Sequence, residues 1–142
     1  CFDLPGTVNR EGVLNYLSGV DYIFTPIAAD RVVLESSLSF AVAIHKLLVK
    51  NEACRLKGLH LFWNMVDGRE KTDLYTLYEQ TIGELELPLM NVFIPDTKRF
   101  KKELDAQRKT VFRSTLFPAD KRLVKGSNME ELITEIAYLI KL

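Results

Sequence analysis

Three short, almost continuously apolar runs lie along the chain and alternate with longer segments of helical periodicity. The runs are YIFTPI (22–27), LHLFWNM (59–65) and LMNVFIP (89–95), and they are rich in aromatic and β-branched residues. Continuous apolarity over so few residues is typical of strands that are buried on both faces of a sheet. The pattern therefore predicts three buried strands.

Amphipathic segments separate these strands. Within 31–50 and within 73–86, apolar residues recur at spacings of three and four, which predicts one helix in each range. A shorter helix is predicted over 10–20. Near the carboxyl end, Ser127 precedes Glu130 by three residues, and this capping-box pattern predicts the start of a terminal helix.

The alternation of strands and helices predicts an α/β fold in one domain, with a mostly parallel open sheet and helices on both faces. Ligands of such sheets bind at the carboxyl ends of the strands. Several polar residues fall at that edge: Asp3 ends a strand stump at the start of the chain, Asn64 ends a later run, and Pro95 and Asp96 follow the last run. We therefore expect the functional site at this edge.

Size and composition exclude some classes of protein. A chain of 142 residues with 47% hydrophobic content is large enough to bury one core. No apolar run approaches the roughly 20 residues that a membrane span requires, and no leader pattern precedes Cys1, so neither membrane insertion nor secretion is predicted. Cys1 and Cys54 lack the spacing of a disulfide framework, a zinc site or a redox motif, so we interpret both as reduced thiols of a cytoplasmic protein.

Charge is balanced overall, with 19 basic and 19 acidic residues, but its distribution is uneven. The segment from Lys98 to Lys125 contains ten basic and three acidic side chains, a net charge of +7. A region of this kind can bind the DNA backbone without sequence preference, by releasing counterions. A solvated charged surface is the alternative interpretation.

The start of the chain contains a second candidate functional motif. Asp3 and Gly6 form the pattern D-x-x-G, which occurs in nucleotide-hydrolysing switches. A carboxylate in that position can hold a water on Mg²⁺, and the glycine N–H can approach a terminal phosphate. Asp, Pro and Gly are also common turn residues, so an ordinary turn is the alternative.

Four segments of the chain, taken in their order and spacing, resemble those of a known family. They are DLPG (3–6), VDYIFTPIAADRVVLESS (20–37), LKGLHLFWNMVD (56–67) and VFIPDTKRF (92–100). Together they resemble the second half of the ParA/MinD family of deviant-Walker P-loop ATPases, most closely the ParA-like proteins of plasmids and conjugative transposons. The resemblance implies a P-loop NTPase-like fold whose amino-terminal half is missing here. It also implies an ATP-dependent homodimer that positions DNA or protein cargo and is stimulated by a ParB-like protein.

The resemblance also implies roles for individual residues. Asp3 would be the acidic residue near Mg²⁺ and Gly6 the switch glycine at the γ-phosphate, which makes both catalytic positions. Asn64 would hydrogen-bond adenine, and Pro95 and Asp96 would line the same base pocket; a strand-end turn and a helix cap are the alternatives for Asn64 and Asp96. Basic residues in this part of ParA-like proteins are associated with DNA contact, a role that would fall to Lys98, Arg99, Lys101, Lys102, Arg108 and Lys109.

One departure from the family decides the expected activity. The phosphate loop G-x-x-x-x-G-K-[ST] is absent, because none of the seven glycines is followed by lysine. Without that loop nothing in this chain cradles a triphosphate. We therefore expect ATP and Mg²⁺ to act in the intact parent, while this chain alone binds no nucleotide tightly and is inactive. A non-catalytic interaction module and a related P-loop synthetase or reductase remain open alternatives.

Overall fold

The computed structural model describes residues 16–49, 54–69, 72–97 and 121–142. These ranges form a mixed α/β structure with two strands and four complete α-helices. In chain order the elements are β1 (Tyr22–Ile27), α1 (Arg31–Ile44), β2 (Gly58–Trp63), α2 (Thr72–Glu84), α3 (Lys121–Val124) and α4 (Met129–Leu139). A π-helical turn, His45–Val49, continues α1.

The two strands form a parallel sheet. Their register runs from Tyr22 opposite Gly58 to Ile27 opposite Trp63. Parallel neighbours need a crossover connection, and α1 supplies it. The Asp30 carboxylate caps the start of α1 by accepting a hydrogen bond of 3.0 Å from the N–H of Val33. The strands predicted from the first two apolar runs and the helices predicted over 31–50 and 73–86 are therefore confirmed.

Helices cover both faces of the sheet. Because successive side chains of a strand point to opposite faces, each strand contributes to two apolar clusters. The first cluster joins strand residues to α1 and α2, and includes Ile23, Ile27, Leu59, Leu61, Leu34, Ala41 and Ile82. The second joins the other face to α4, and includes Phe24, Phe62, Met90, Ile94 and Leu132. The sheet is thus sandwiched between α1 and α2 on one side and α4 on the other.

The third predicted strand, over 89–95, is wrong as a continuous strand. This segment runs parallel to β2 but makes only two isolated bridges, Leu61 with Leu89 and Val66 with Pro95. The N–H of Met90 donates to Leu61 O and the N–H of Ile94 donates to Trp63 O, each at 2.8 Å. The segment therefore advances four residues, from Met90 to Ile94, while β2 advances two, from Leu61 to Trp63. The intervening residues 91–93, which we name the arch, leave the line of the strand.

The arch forms because its backbone donors have a partner outside the sheet. Glu135 of α4 accepts hydrogen bonds from the N–H of Asn91 at 2.9 Å, from Asn91 Nδ2 at 3.1 Å and from the N–H of Val92 at 2.9 Å. These N–H groups are consequently satisfied without pairing to β2. The acceptor lies 44 residues further along the chain, so the local sequence gives no sign of it. From its apolar residues alone, the segment is predicted to be a strand.

The capping box predicted at the start of the terminal helix is also wrong, although the helix itself is confirmed. Ser127 Oγ accepts a hydrogen bond from the N–H of Met129 at 3.3 Å, so the bond spans two residues and does not involve Glu130. The capping residue is Asn128, which adopts a left-handed conformation with φ of 58°. Its Nδ2 donates to Phe93 O at 2.9 Å, which ties the start of α4 to the arch.

Several predictions fall outside the described residues. Of the helix predicted over 10–20, residues 16–18 are helical and the earlier part is outside those ranges, as is the strand stump that contains Asp3. Most of the basic segment, 98–120, is outside them as well. Within the ranges that are described, every helix is too short or too polar to cross a bilayer.

Candidate functional site

Three pieces of the chain meet at the carboxyl end of the sheet. The N–H of Asn64, the residue after β2, donates to Ile27 O at the end of β1 with a distance of 2.7 Å. The N–H of Val66 donates to Ile94 O at 3.0 Å, and the N–H of Asp96 donates to Val66 O at 2.8 Å. We name this edge, comprising residues 64–66 and 94–96, the rim.

The rim brings together three of the residues singled out from the sequence. Asn64 is half-buried, Pro95 is half-buried and bridges to Val66, and Asp96 is exposed. All three lie at the edge where parallel α/β sheets bind their ligands. Their roles in holding a base stay predictions. The remaining candidates lie outside the described residues: Asp3, Gly6, Lys98, Arg99, Lys101, Lys102, Arg108 and Lys109.

Met65, at the centre of the rim, adopts a backbone conformation that is rare for a residue with a side chain. Its φ is 55°, and 57% of its surface is exposed. A left-handed conformation costs a non-glycine residue roughly 1 kcal/mol or more, and residues held in it cluster at functional sites. The hydrogen bonds made by Asn64 and Val66 on either side hold it there. Methionine gives no sequence signal for this conformation, so sequence reasoning missed it.

A small cavity lies beside the rim, on the face of the sheet that α2 covers. We name it the rim cavity; its volume is about 260 Å³, and it is lined by Trp63, Val66, Asp67, Gly68, Tyr75, Glu79 and Phe93. Trp63 Nε1 donates a hydrogen bond of 3.0 Å to Glu79 Oε1, and the rings of Trp63 and Tyr75 meet edge to face with centroids 5.0 Å apart. Asn64, Pro95 and Asp96 do not line this cavity.

A larger open groove of about 680 Å³ lies between α4 and the arch. Its lining includes Asn91, Val92 and Glu135, the residues whose hydrogen bonds join α4 to the arch. The lining also includes Glu130, Glu131 and Tyr138 of α4. None of the residues that form the rim contributes to it, so the groove is a feature of the α4 packing rather than of the rim.

His60 lies on the sheet face that α4 covers. Its ring stacks against Phe24, with centroids 5.6 Å apart, and against Tyr22, with centroids 6.4 Å apart. Burial lowers the pKa of His60, while the negative charge of Glu135 acts in the opposite direction. The imidazole therefore favours its neutral form as part of the packing between the sheet and α4.

A charged cluster marks the opposite edge of the sheet. Asp21, just before β1, contacts Arg55 Nη2 and Lys57 Nζ, each at 3.2 Å. The hydrogen bond from Arg55, followed by that from Lys57, lowers the pKa of the Asp21 carboxyl. These groups fix the amino ends of the strands, and they take no part in the rim.

The side chains that most often hold metal ions in proteins are those of His, Cys, Asp and Glu. Within those four ranges, no group of three or more His, Cys, Asp or Glu side chains is arranged to hold a metal ion. Cys54 is a half-buried free thiol.

Comparison with known proteins does not identify the chain. A scan against protein-family models finds no match, and a search of curated proteins finds no significant relative. Any assignment of function therefore depends on the sequence motifs and on the residues gathered at the rim.

Proposed function

We propose that the 142 residues of this chain are the carboxyl-terminal portion of a ParA-like ATPase domain. That domain serves DNA partition or the maintenance of a conjugative element. In this proposal the fold is P-loop NTPase-like, and the rim contributes the base-binding half of an ATP site. The phosphates and Mg²⁺ are held mainly by a phosphate loop encoded before Cys1. The 142 residues alone are inactive and carry no cofactor.

The observation that carries the proposal is the meeting of Asn64, Pro95 and Asp96 at the rim. An asparagine side chain offers one acceptor and one donor side by side, which match the N7 and N6 positions of adenine. The Asp96 carboxylate is a second acceptor for an exocyclic amino group, and Pro95 offers an apolar ring without an N–H. The chemistry of these three residues therefore fits an adenine base.

In the proposed mechanism, ATP supplies the phosphate whose presence or absence distinguishes two states of the parent protein. Asn64 and Asp96 orient the base. With ATP and Mg²⁺ bound, Asp3 would hold a water on the metal ion, and the N–H of Gly6 would approach the γ-phosphate. Binding of the γ-phosphate would favour one dimeric state of the parent. That state would associate with non-specific DNA through the basic segment, and with a ParB-like stimulating protein.

A nucleotide titration of two proteins tests the proposal. The first is the 142-residue chain, and the second is the protein read from the complete reading frame that encodes it. By calorimetry we expect micromolar binding of MgATP to the second protein only. Micromolar binding of ATP to the 142 residues alone, or a complete protein that lacks both a phosphate loop and ATP binding, would refute it.

The alternative is a non-catalytic interaction module that keeps this fold without a nucleotide site. It is favoured by one specific observation: no glycine of the chain is followed by the lysine that a phosphate loop requires. The complete reading frame distinguishes the two functions. A G-x-x-x-x-G-K-[ST] motif before Cys1 supports the ATPase, and its absence supports the module.

A further inference from the structure

The rim cavity combines aromatic walls with acidic groups and belongs to no step of the proposed ATP mechanism. Trp63, Tyr75 and Phe93 supply aromatic surface, and 43% of Phe93 is exposed. Asp67 and Glu79 supply two carboxylates. Among the described residues that line the cavity, two are acidic and none is basic.

Both carboxylates are held in place by neighbouring donors. Glu79 accepts a hydrogen bond from Trp63 Nε1 at 3.0 Å, and Asp67 accepts one from the N–H of Arg69 at 3.0 Å. Trp63 is only 5% exposed, which fixes its indole and through it the Glu79 carboxylate. The bond to a buried indole therefore lowers the cost of ordering the Glu79 carboxylate around a ligand.

The size of the cavity limits the ligand. Its volume of about 260 Å³ is below the range of roughly 300–1,000 Å³ that is usual for small-molecule sites, so it suits a single side chain better than a nucleotide. Aromatic faces and carboxylates together favour a cation. A planar guanidinium stacks on aromatic rings and also donates paired hydrogen bonds to carboxylates, which an ammonium group does less well.

We propose that the rim cavity is a binding site for a guanidinium group, of the kind that an arginine side chain of a protein partner presents. The chain's own Arg69 approaches Asp67 at 3.8 Å, but its side chain is 93% exposed, so this pair is weak and open to competition. The proposal stands on the cavity alone and does not depend on ATP binding by the parent protein.

The only tryptophan of the chain lies in the cavity, so Trp63 fluorescence reports binding directly. The 142-residue protein is titrated at constant ionic strength with N-acetyl-arginine amide, and in parallel with the neutral citrulline analogue and the lysine analogue. We expect a saturable change for arginine with a dissociation constant on the order of 10 mM. The lysine analogue binds more weakly, and the citrulline analogue gives no saturable change.

Two matched variants locate the site. Glu79→Gln removes the charge but keeps an oxygen that accepts from Trp63 Nε1, and it raises the arginine dissociation constant about fivefold. Glu84→Gln makes the same change on the same helix outside the cavity and leaves the constant unaltered. Circular dichroism checks that both variants are folded. Equal binding of arginine and citrulline, equal binding of arginine and lysine, or no effect of Glu79→Gln would overturn the proposal.

Discussion

Replacement of Glu135 by alanine tests whether one carboxylate holds α4 against the arch. The side chain accepts two hydrogen bonds from Asn91, through N–H at 2.9 Å and Nδ2 at 3.1 Å, and one from the N–H of Val92 at 2.9 Å. Glu135→Ala removes all three and leaves two backbone donors of the arch without a protein partner. No other acceptor for these donors is present among the described contacts of the arch and α4.

The size of the effect follows from these bonds. A hydrogen bond to a charged group contributes about 1.5–3 kcal/mol when it is well buried, and water replaces part of it when the group is half-buried, as Glu135 is. We therefore expect Glu135→Ala to lower the free energy of unfolding by about 2–3 kcal/mol and the melting temperature by about 5–10 °C. Glu135→Gln retains one acceptor oxygen, so its cost is smaller, about 1–2 kcal/mol.

Urea denaturation of the 142-residue protein, followed by circular dichroism, measures these differences. Glu131→Ala is the control, because Glu131 is an exposed carboxylate in the first turn of the same helix and its loss costs less than about 1 kcal/mol. Amide exchange gives a local readout: the N–H groups of Asn91 and Val92 exchange at least about tenfold faster in Glu135→Ala. Equal stability of the two alanine variants, with unchanged exchange at the arch, would refute the reasoning.

Three further expectations concern the core, the sheet face and the start of α4. Leu61→Ala, at a residue with 0% exposure, lowers the free energy of unfolding in urea by about 2–5 kcal/mol, while Leu77→Ala, at a residue with 58% exposure, costs less than about 1 kcal/mol. Because burial lowers the pKa of His60, the folded protein binds fewer protons than the unfolded chain, and stability falls as the pH drops from about 7.5 through 6.5 to about 5.5. That pH dependence is shallower in His60→Gln, and an identical slope in both proteins contradicts the assignment. Asn128→Gly removes the bond to Phe93 O but suits the left-handed conformation, so it destabilises the protein less than Asn128→Ala, which costs about 1–2 kcal/mol in thermal melts.

The sequence predicted the elements whose signals are local. Strands β1 and β2 were predictable because their apolar runs are continuous and are buried on both faces between α1, α2 and α4. Helices α1 and α2 were predictable from apolar residues repeated at spacings of three and four. The meeting of Asn64 and Pro95 at one edge was predictable as well, because the carboxyl ends of parallel strands share an edge.

The features that the sequence did not predict depend on contacts between distant residues. The apolar run at 89–95 has the composition of a strand, but Glu135 captures two of its backbone donors and produces the arch. The spacing of Ser127 and Glu130 predicts a capping box, but spacing cannot reveal that Asn128 adopts the left-handed conformation and bonds to Phe93. The rim cavity likewise requires β2, α2 and the arch to come together, which no single segment indicates.

In the function that we propose, the rim recognises the base of an ATP bound by the intact parent. The most direct test is the affinity of the protein from the complete reading frame for MgATP and MgGTP, measured by calorimetry with Asn64 intact and with Asn64→Ala. We predict micromolar binding with a preference for ATP of about tenfold or more, since a paired hydrogen bond to adenine contributes about 1–3 kcal/mol to discrimination. Asn64→Ala abolishes that preference and leaves phosphate-dependent binding in place. An ATP preference that is unchanged by Asn64→Ala would contradict the claim.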